Sequence, residues 1–209
     1  GSTMSQKYFV NEIQKVIEKI EQTQTENIQK AAELCADTIG KGKLVHLFGS
    51  GHSVLPIQDV FPRYGGVVGF HPLMDPRLMW SNVIGPGGAR ELLWIERQEG
   101  YIQNFLQSFT FQEGEVMIVY SHGGLNAAPI EAAMYAKERG LKVIAITSGE
   151  NHQKAKANHS SGNKLGDVAD ILIDNCCPLE DSLVPIPYIS TKGWGIIYCC
   201  DDYYFSSNS

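Results

Sequence analysis

Four short apolar runs, three of them ending in small, glycine-rich turns, constrain this chain more than any other feature. Lys43-Leu44-Val45-His46-Leu47-Phe48 runs into Gly49-Ser50-Gly51. Glu115-Val116-Met117-Ile118-Val119-Tyr120 runs into Ser121-His122-Gly123-Gly124, and Leu141 to Thr147 runs into Ser148-Gly149. Ala169 to Asp174 is the fourth run, and Val67-Val68-Gly69-Phe70 is a weaker fifth. A strand that is apolar throughout must be covered on both faces, which is the condition of a strand in a parallel sheet. Helical patterns lie between the runs: Val54–Tyr64, interrupted by Pro56 and Pro62; Gln98–Phe109; and Ala127–Arg139, ended by Gly140. Strands that alternate with helices predict an α/β fold, a parallel sheet with helices on both sides.

The start of the chain is helical. Phe9, Ile13, Val16, Ile17 and Ile20 recur at helical spacing. Thr23 followed three residues later by Glu26 is a capping-box pattern, so a second helix is expected from there, with Ile28, Ala31, Ala32 and Cys35 on its apolar face. Gly40 stands where that helix should stop. The segment Pro72–Glu91 carries Pro72, Pro76, Pro86 and the run Gly85-Pro86-Gly87-Gly88, and reads as a long loop. With 209 residues, no repeat and no low-complexity tract, the chain is expected to form one domain over 4–209. Its parts are N-terminal helices over 5–38, an α/β core over 43–187 and a C-terminal tail over 188–209. Gly1-Ser2-Thr3 before Met4 reads as an expression scar.

Composition narrows the function classes. Hydrophobic residues make up 43% and charged residues 19%, as in ordinary globular proteins. The net charge is −6 with no basic stretch, so nucleic acid is not an expected partner. A phosphorylated small molecule is compatible with that acidity, because backbone N–H groups hold phosphate without net positive charge. No stretch approaches the ~20 consecutive apolar residues of a membrane span, so no membrane partner is expected. The polar N-terminus has no signal-peptide core. Five cysteines, with Cys176-Cys177 and Cys199-Cys200 adjacent and no C-x-x-C spacing, read as reduced thiols of a cytoplasmic protein. Neither a metal site nor a cofactor is expected.

In open parallel sheets, ligands bind beyond the C-terminal strand ends where the strand order reverses. Two turns qualify: Gly49-Ser50-Gly51-His52-Ser53 and Ser121-His122-Gly123-Gly124-Leu125-Asn126. Each leads into a helix and so offers unsatisfied N–H groups and the positive end of a helix dipole. Neither matches a dinucleotide fingerprint or a P-loop with its lysine. The expected ligand is therefore a small phosphorylated metabolite. Gly51, His52, Ser53, Ser121, Gly123, Gly124 and Asn126 form the candidate phosphate-binding set.

Strand, G-S-G-H-S, helix, then strand, S-x-x-G-x-N, helix, then GLKVIAITS resembles the sugar isomerase (SIS) domain, in its phosphoheptose isomerase-like bacterial branch. The likeness spans about Tyr8 to Pro187 and includes Arg63-Tyr64-Gly65-Gly66, Glu96-Arg97-Gln98-Glu99-Gly100-Tyr101, Pro129-Ile130-Glu131 and His159-Ser160-Ser161-Gly162. It implies a doubly wound, five-stranded parallel sheet between helices, assembled as a homodimer or homotetramer. It also implies that the chain isomerises a sugar phosphate, cleaves one in a lyase or etherase reaction, or binds one as a non-catalytic regulatory module. The family's second loop usually reads S-x-S-G-x-S/T/N, and Gly123 here replaces the second serine. Leu125 stands where the related branch often has arginine. The H-x-x-x-E metal motif of phosphoheptose isomerases falls on Asp59 and Arg63, so that metal site is not reproduced. The tail Ile189–Ser209 lacks the family's histidine and departs from its long amphipathic helix.

Aldose–ketose isomerisation moves a proton between neighbouring carbons and needs a positioned base. Glu96, Glu99 and His52 are the candidates. Glu96 and Glu99 are expected to begin a helix, where acids are also common because of the dipole. Asp59 is a weaker candidate. His46 is expected in the core, His122 is as ambiguous as His52, His159 is expected in solvent, and Glu131 is expected to reach a subunit interface.

Overall fold

Five parallel strands form the centre of the computed structural model, which describes residues 2–79, 88–178, 184–185 and 192–193. The elements are α1 (Ser2–Gly40), β1 (Val45–Gly49), α2 (Leu55–Val60), β2 (Phe70–Leu73), α3 (Gly88–Ile95), α4 (Tyr101–Leu106), β3 (Val116–Tyr120), α5 (Ala127–Glu138), β4 (Lys142–Thr147), α6 (Gly149–Lys154), α7 (Leu165–Val168), β5 (Ile171–Asp174), β6 (Val184–Pro185) and β7 (Lys192–Gly193). The main sheet runs β2-β1-β3-β4-β5, while β6 and β7 form a separate antiparallel pair. Val45 stands opposite both Phe70 and Val116, and Ile144 opposite Ile171.

Alternate side chains leave a strand on opposite faces, and here each face has its own core. Val45, Leu47, Val116, Ile118 and Ile144 pack with Ala31 and Cys35 of α1 and Ile57 of α2. Phe48, Met117, Val119, Val143 and Ala145 pack with Leu106 of α4, Ile130 and Ala133 of α5 and Leu165 of α7. Every residue of β1 is buried, which is why its sequence carries no polar alternation. This is the expected doubly wound sheet.

The N-terminal expectation of two helices is corrected: α1 is one helix of 39 residues. The Thr23 hydroxyl does not cap a new helix but donates to the carbonyl of Lys19, 2.6 Å away and four residues back. A threonine inside a helix can make that bond just as it can cap one, and no glycine or proline between Thr23 and Gly40 interrupts the turn. The middle of α1 is pinned to β5, where Gln24 Oε1 accepts from the Asp174 N–H at 3.0 Å and Asn27 Nδ2 donates to the Leu172 carbonyl at 3.2 Å.

Other boundaries also move. The weak strand lies at Phe70–Leu73 rather than Val67–Phe70, with Val68 90% exposed. Pro72 is thus in a strand, not a loop. An edge strand tolerates it because no second neighbour needs its missing N–H. The rest of the expected loop holds a 3-10 turn, Pro76–Leu78, capped by Asp75, and then α3 from Gly88; Gly85, Pro86 and Gly87 lie outside the described residues. The helix expected over Val54–Tyr64 is confined to Leu55–Val60, before Pro62, and that expected over Gln98–Phe109 to Tyr101–Leu106. The tail from 188 lies outside the described residues except for β7.

A polar cluster sits in the sheet at the end away from the glycine turns. His46 is fully buried, as expected. Its Nε2 lies 2.9 Å from Glu115 Oε1 and its Nδ1 lies 2.8 Å from His71 Nδ1. Only one proton fits between the two Nδ1 atoms, so doubly charging the pair breaks this bond. Burial, and then the His46 charge, hold His71 below its ordinary 6.5. Burial pushes Glu115 up, but hydrogen bonds from His46, Gln112 N–H and Leu44 N–H outweigh it and hold the carboxylate below its ordinary range. With His71 depressed, the unfolded chain takes up the proton first as pH falls. Stability is therefore whole above the ordinary value and is lost as pH drops below it. The thermal midpoint should fall as pH is lowered through about 6.5, and His71→Phe should flatten that slope. An unchanged slope in the variant would place the dependence elsewhere.

Candidate functional site

β1 and β3 are neighbours, and the order of the sheet reverses between them. The chain leaves β1 towards β2 on one side and leaves β3 towards β4 and β5 on the other. The two glycine turns therefore emerge side by side, with Gly49 level with Tyr120. A crevice between them follows from topology.

The glycines keep these turns tight. A Cβ on Gly49 would lie 2.2 Å from the backbone oxygen of Ser53, so the turn closes over a position that only glycine allows. Gly51 has φ +62° and its N–H donates to the Leu78 carbonyl at 2.6 Å. Gly124, at φ +63°, donates its N–H to Ser121 Oγ at 3.1 Å.

The turns wall a cavity of about 180 Å³. Gly51, His52, Ser53, Ser121, Gly123 and Asn126 of the candidate set all line it, as does His122. Gly124 is behind it, facing Thr147 and Leu165. Ser50, Leu92 and Leu93 also line the cavity, and sequence reasoning did not single them out. Ser50 had a signal, since it lies inside the first glycine turn.

Glu96 closes the cavity from a third element. Its side chain is buried, with the residue 6% exposed. Oε2 accepts from Ser50 Oγ at 3.0 Å, and Oε1 accepts from Asn126 Nδ2 at 3.1 Å. One carboxylate thus joins the two turns. Its own carbonyl accepts from the N–H of Ala128, at the start of α5, at 2.9 Å. Burial pushes the carboxyl above its ordinary range, opposed by the Ser50 hydrogen bond and the Arg97 charge. The expectation that Glu96 and Glu99 begin a helix is corrected. Glu96 follows the last turn of α3, its N–H bonded to the Leu92 carbonyl at 3.0 Å, and Glu99 precedes α4. The dipole at a helix C-terminus disfavours a carboxylate, so the helix-start explanation does not account for Glu96.

Glu99 faces a different cavity. Its carboxylate accepts from the Ser160 N–H at 2.7 Å and the Ser160 hydroxyl at 2.6 Å. The Ser160 side chain and then its backbone hold it below the ordinary range. This second cavity, about 310 Å³, is lined by Arg97, Glu99, Asn126, Asn158 and His159, among others. Asn126 lines both cavities.

His159 is not in solvent as expected: its side chain is 7% exposed and its Nε2 lies 3.3 Å from Glu131 Oε2. Nor does Glu131 reach outward. Its side chain is 3% exposed, and its Oε1 accepts from the Gly100 N–H at 2.8 Å and Gln103 Nε2 at 3.3 Å. Asp59 is removed from the glycine cavity. It pairs with Arg63 at 3.2 Å and lines a groove with Ile20, Pro56 and Tyr120.

A family model described as "SIS domain" matches residues 8–148. The chain is 42% identical to a UPF0309 protein of Thermoanaerobacter pseudethanolicus over 180 residues, 85% of this chain and 71% of that protein. It is 35% identical to a UPF0309 protein of Listeria innocua over 170 residues, 81% of this chain and 67% of that protein. Among solved structures, the phosphoheptose isomerase of Neisseria gonorrhoeae superposes with a TM-score of 0.63 at 17% identity, covering 85% of this chain and 88% of that one. A phosphoheptose isomerase of Francisella tularensis superposes at 0.59 and 16% identity, covering 97% of each. At such identities the likeness is one of fold. Among the described residues, no helix is long and apolar enough to cross a membrane.

Proposed function

The chain belongs to the SIS domain family, and from that premise we propose that it binds a sugar phosphate between its glycine turns and isomerises it, with Glu96 as the base. One observation carries this reading: a buried carboxylate sits in the same cavity as both turns and is hydrogen-bonded to each of them. A tight strand-to-helix turn explains each loop by itself. It does not explain why the walls of the cavity converge on an acid whose burial favours the proton-carrying form.

The roles follow from donor chemistry. The Ser53 N–H is spent on the Ser50 carbonyl, so the anion is met by the Gly123 N–H and by the hydroxyls of Ser53 and Ser121. Asn126 has two amide protons; one goes to Glu96 and the other serves the ligand. A phosphate dianion held this way needs no lysine. Glu96 takes the proton from the carbon beside the sugar carbonyl and returns it to the neighbouring carbon, while His52 moves the proton between the two oxygens. A carboxyl group raised above its ordinary range by burial suits both halves of that exchange.

Calorimetric titration with a hexose phosphate, set against the unphosphorylated sugar, tests the binding. The phosphorylated form should bind more tightly by at least tenfold, the effect of about one charge-assisted hydrogen bond. Equal affinity for the two would mean that the loops are ordinary turns. Deuterium from solvent should enter C1 or C2 of the turned-over sugar. Binding without exchange would make the protein a binding module rather than an isomerase.

A further inference from the structure

The base of the proposed isomerisation must be aimed as well as present. A glutamate carboxylate turns freely about its last torsion, and a single partner does not fix its plane. Two partners do when they hold different oxygens and come from different elements. Asn126, at the start of α5, donates to Glu96 Oε1 at 3.1 Å, and the Ser50 hydroxyl donates to Oε2 at 3.0 Å. Asn126 also has an amide proton for the ligand, so it does not isolate the aiming role. Ser50 does.

The backbone holds Ser50 from both sides. Before it, Gly49 closes on the Ser53 carbonyl, where a Cβ would lie 2.2 Å from the oxygen. After it, Gly51 takes φ +62° and ψ −133° and donates its N–H to the Leu78 carbonyl at 2.6 Å. The Ser50 carbonyl itself accepts from the Ser53 N–H at 3.1 Å. A short side chain on a pinned backbone loses little conformational entropy when it makes its bond. A serine hydroxyl also has a single proton to donate. While that proton is on Glu96 it is not on a ligand, so Ser50 acts through the carboxylate although it lines the cavity.

We propose that Ser50 is the positioning residue of the base: its hydroxyl, together with the Asn126 amide, fixes the plane of the Glu96 carboxylate against the reacting carbons. The inference rests on the reading of Glu96 as the base. The same bond favours the ionised form, which must exist before a proton can be taken. Burial raises the carboxyl, and the Ser50 bond opposes it ahead of the Arg97 charge. The other titratable groups facing Glu96 are His52 of the first turn and His122 of the second, which line the same cavity.

The experiment is a double-mutant cycle between Ser50→Ala and Glu96→Gln, read by turnover and solvent deuterium exchange with glyceraldehyde 3-phosphate, ribose 5-phosphate and glucose 6-phosphate. Ser50→Ala should lower kcat roughly tenfold on the plateau of the pH profile and leave KM nearly unchanged, since a misaimed base costs rate rather than affinity. The acid limb of kcat/KM should also move to higher pH, because the lost hydrogen bond favoured the ionised carboxylate. In the Glu96→Gln background Ser50→Ala should change exchange no further, as expected of two residues that act as a unit. On the unaltered protein, Ser50 ¹³Cβ and the Glu96 carboxyl ¹³C should titrate with one midpoint. That measurement stands even if the variant folds poorly. An unmoved acid limb, a raised KM with kcat held, equal losses in both backgrounds or two separate midpoints would overturn the positioning role and leave Glu96 as the base. If the unaltered protein exchanges deuterium into none of the three sugar phosphates, the isomerase reading fails and the positioning role fails with it.

Discussion

Glu96→Gln should lower turnover and solvent exchange by about a thousandfold while the affinity for inorganic phosphate stays within about a factor of two, since a positioned base contributes ~10²–10⁴ in rate. The substitution is nearly isosteric. The Gln carbonyl can still accept from Asn126 Nδ2, and its amide can donate to Ser50 Oγ, so the two turns remain joined. What disappears is the capacity to take a proton. Burial raises the Glu96 carboxyl, so removing its charge relieves desolvation, and the thermal midpoint should hold or rise slightly. Rate, affinity and stability therefore separate. Exchange that persists in Glu96→Gln would move the base to another residue, with His52 the next to test. A parallel loss of phosphate affinity would mean that Glu96 shapes the loops rather than serving the chemistry.

Gly49→Ala should produce the largest loss of stability from a single methyl group in this site. The added carbon would lie 2.2 Å from the Ser53 carbonyl oxygen and 2.7 Å from its carbon. These are backbone atoms, so no rotamer change relieves the clash. Overpacking of a side chain costs about 1–3 kcal/mol, and a backbone obstacle belongs at the upper end. About 3 kcal/mol corresponds to a drop of roughly 6–12 °C in the thermal midpoint for a chain of this size. Gly51→Ala is the control. A Cβ there has room, 3.8 Å from Leu92 Cδ2 and 3.9 Å from Glu96 Oε2, but φ is +62°. With ψ −133° the residue lies outside the left-handed helical region, in backbone space that costs an L-residue about 1–3 kcal/mol, so its midpoint should fall no further than that of Gly49→Ala. Thermal unfolding followed by circular dichroism ranks the two. The reverse order would show that the first turn is not closed on Ser53.

The sheet was legible because its signal is local. Apolar runs such as Val116–Val119 and Val143–Ala145 must be buried on both faces wherever they lie, and alternation with helices leaves few topologies. The glycine turns were legible for the same reason, since each occupies a few consecutive residues. The Thr23 misreading marks the limit of local signals. The same hydroxyl serves as a cap or bonds four residues back, and what decides is that the surrounding turns of α1 continue, tied to β5 by Gln24 and Asn27.

The sequence by itself determined a parallel α/β sheet and two adjacent glycine turns, and it included Glu96 among its candidate acids. Only the tertiary structure decided which acid belongs to those turns. Glu96 and Glu99 are three residues apart and chemically alike. The contacts that distinguish them come from Ser50, 46 residues from Glu96, and from Ser160, 61 residues from Glu99. In the same way Glu131 meets His159 across 28 positions, burying a histidine that its polar neighbourhood marks for solvent. Periodicity reports which residues leave water, because burial repeats with the geometry of the element. It carries no record of which side chains meet once those elements cross, and that meeting sets desolvation, hydrogen bonding and the direction in which Glu96 and Glu99 shift.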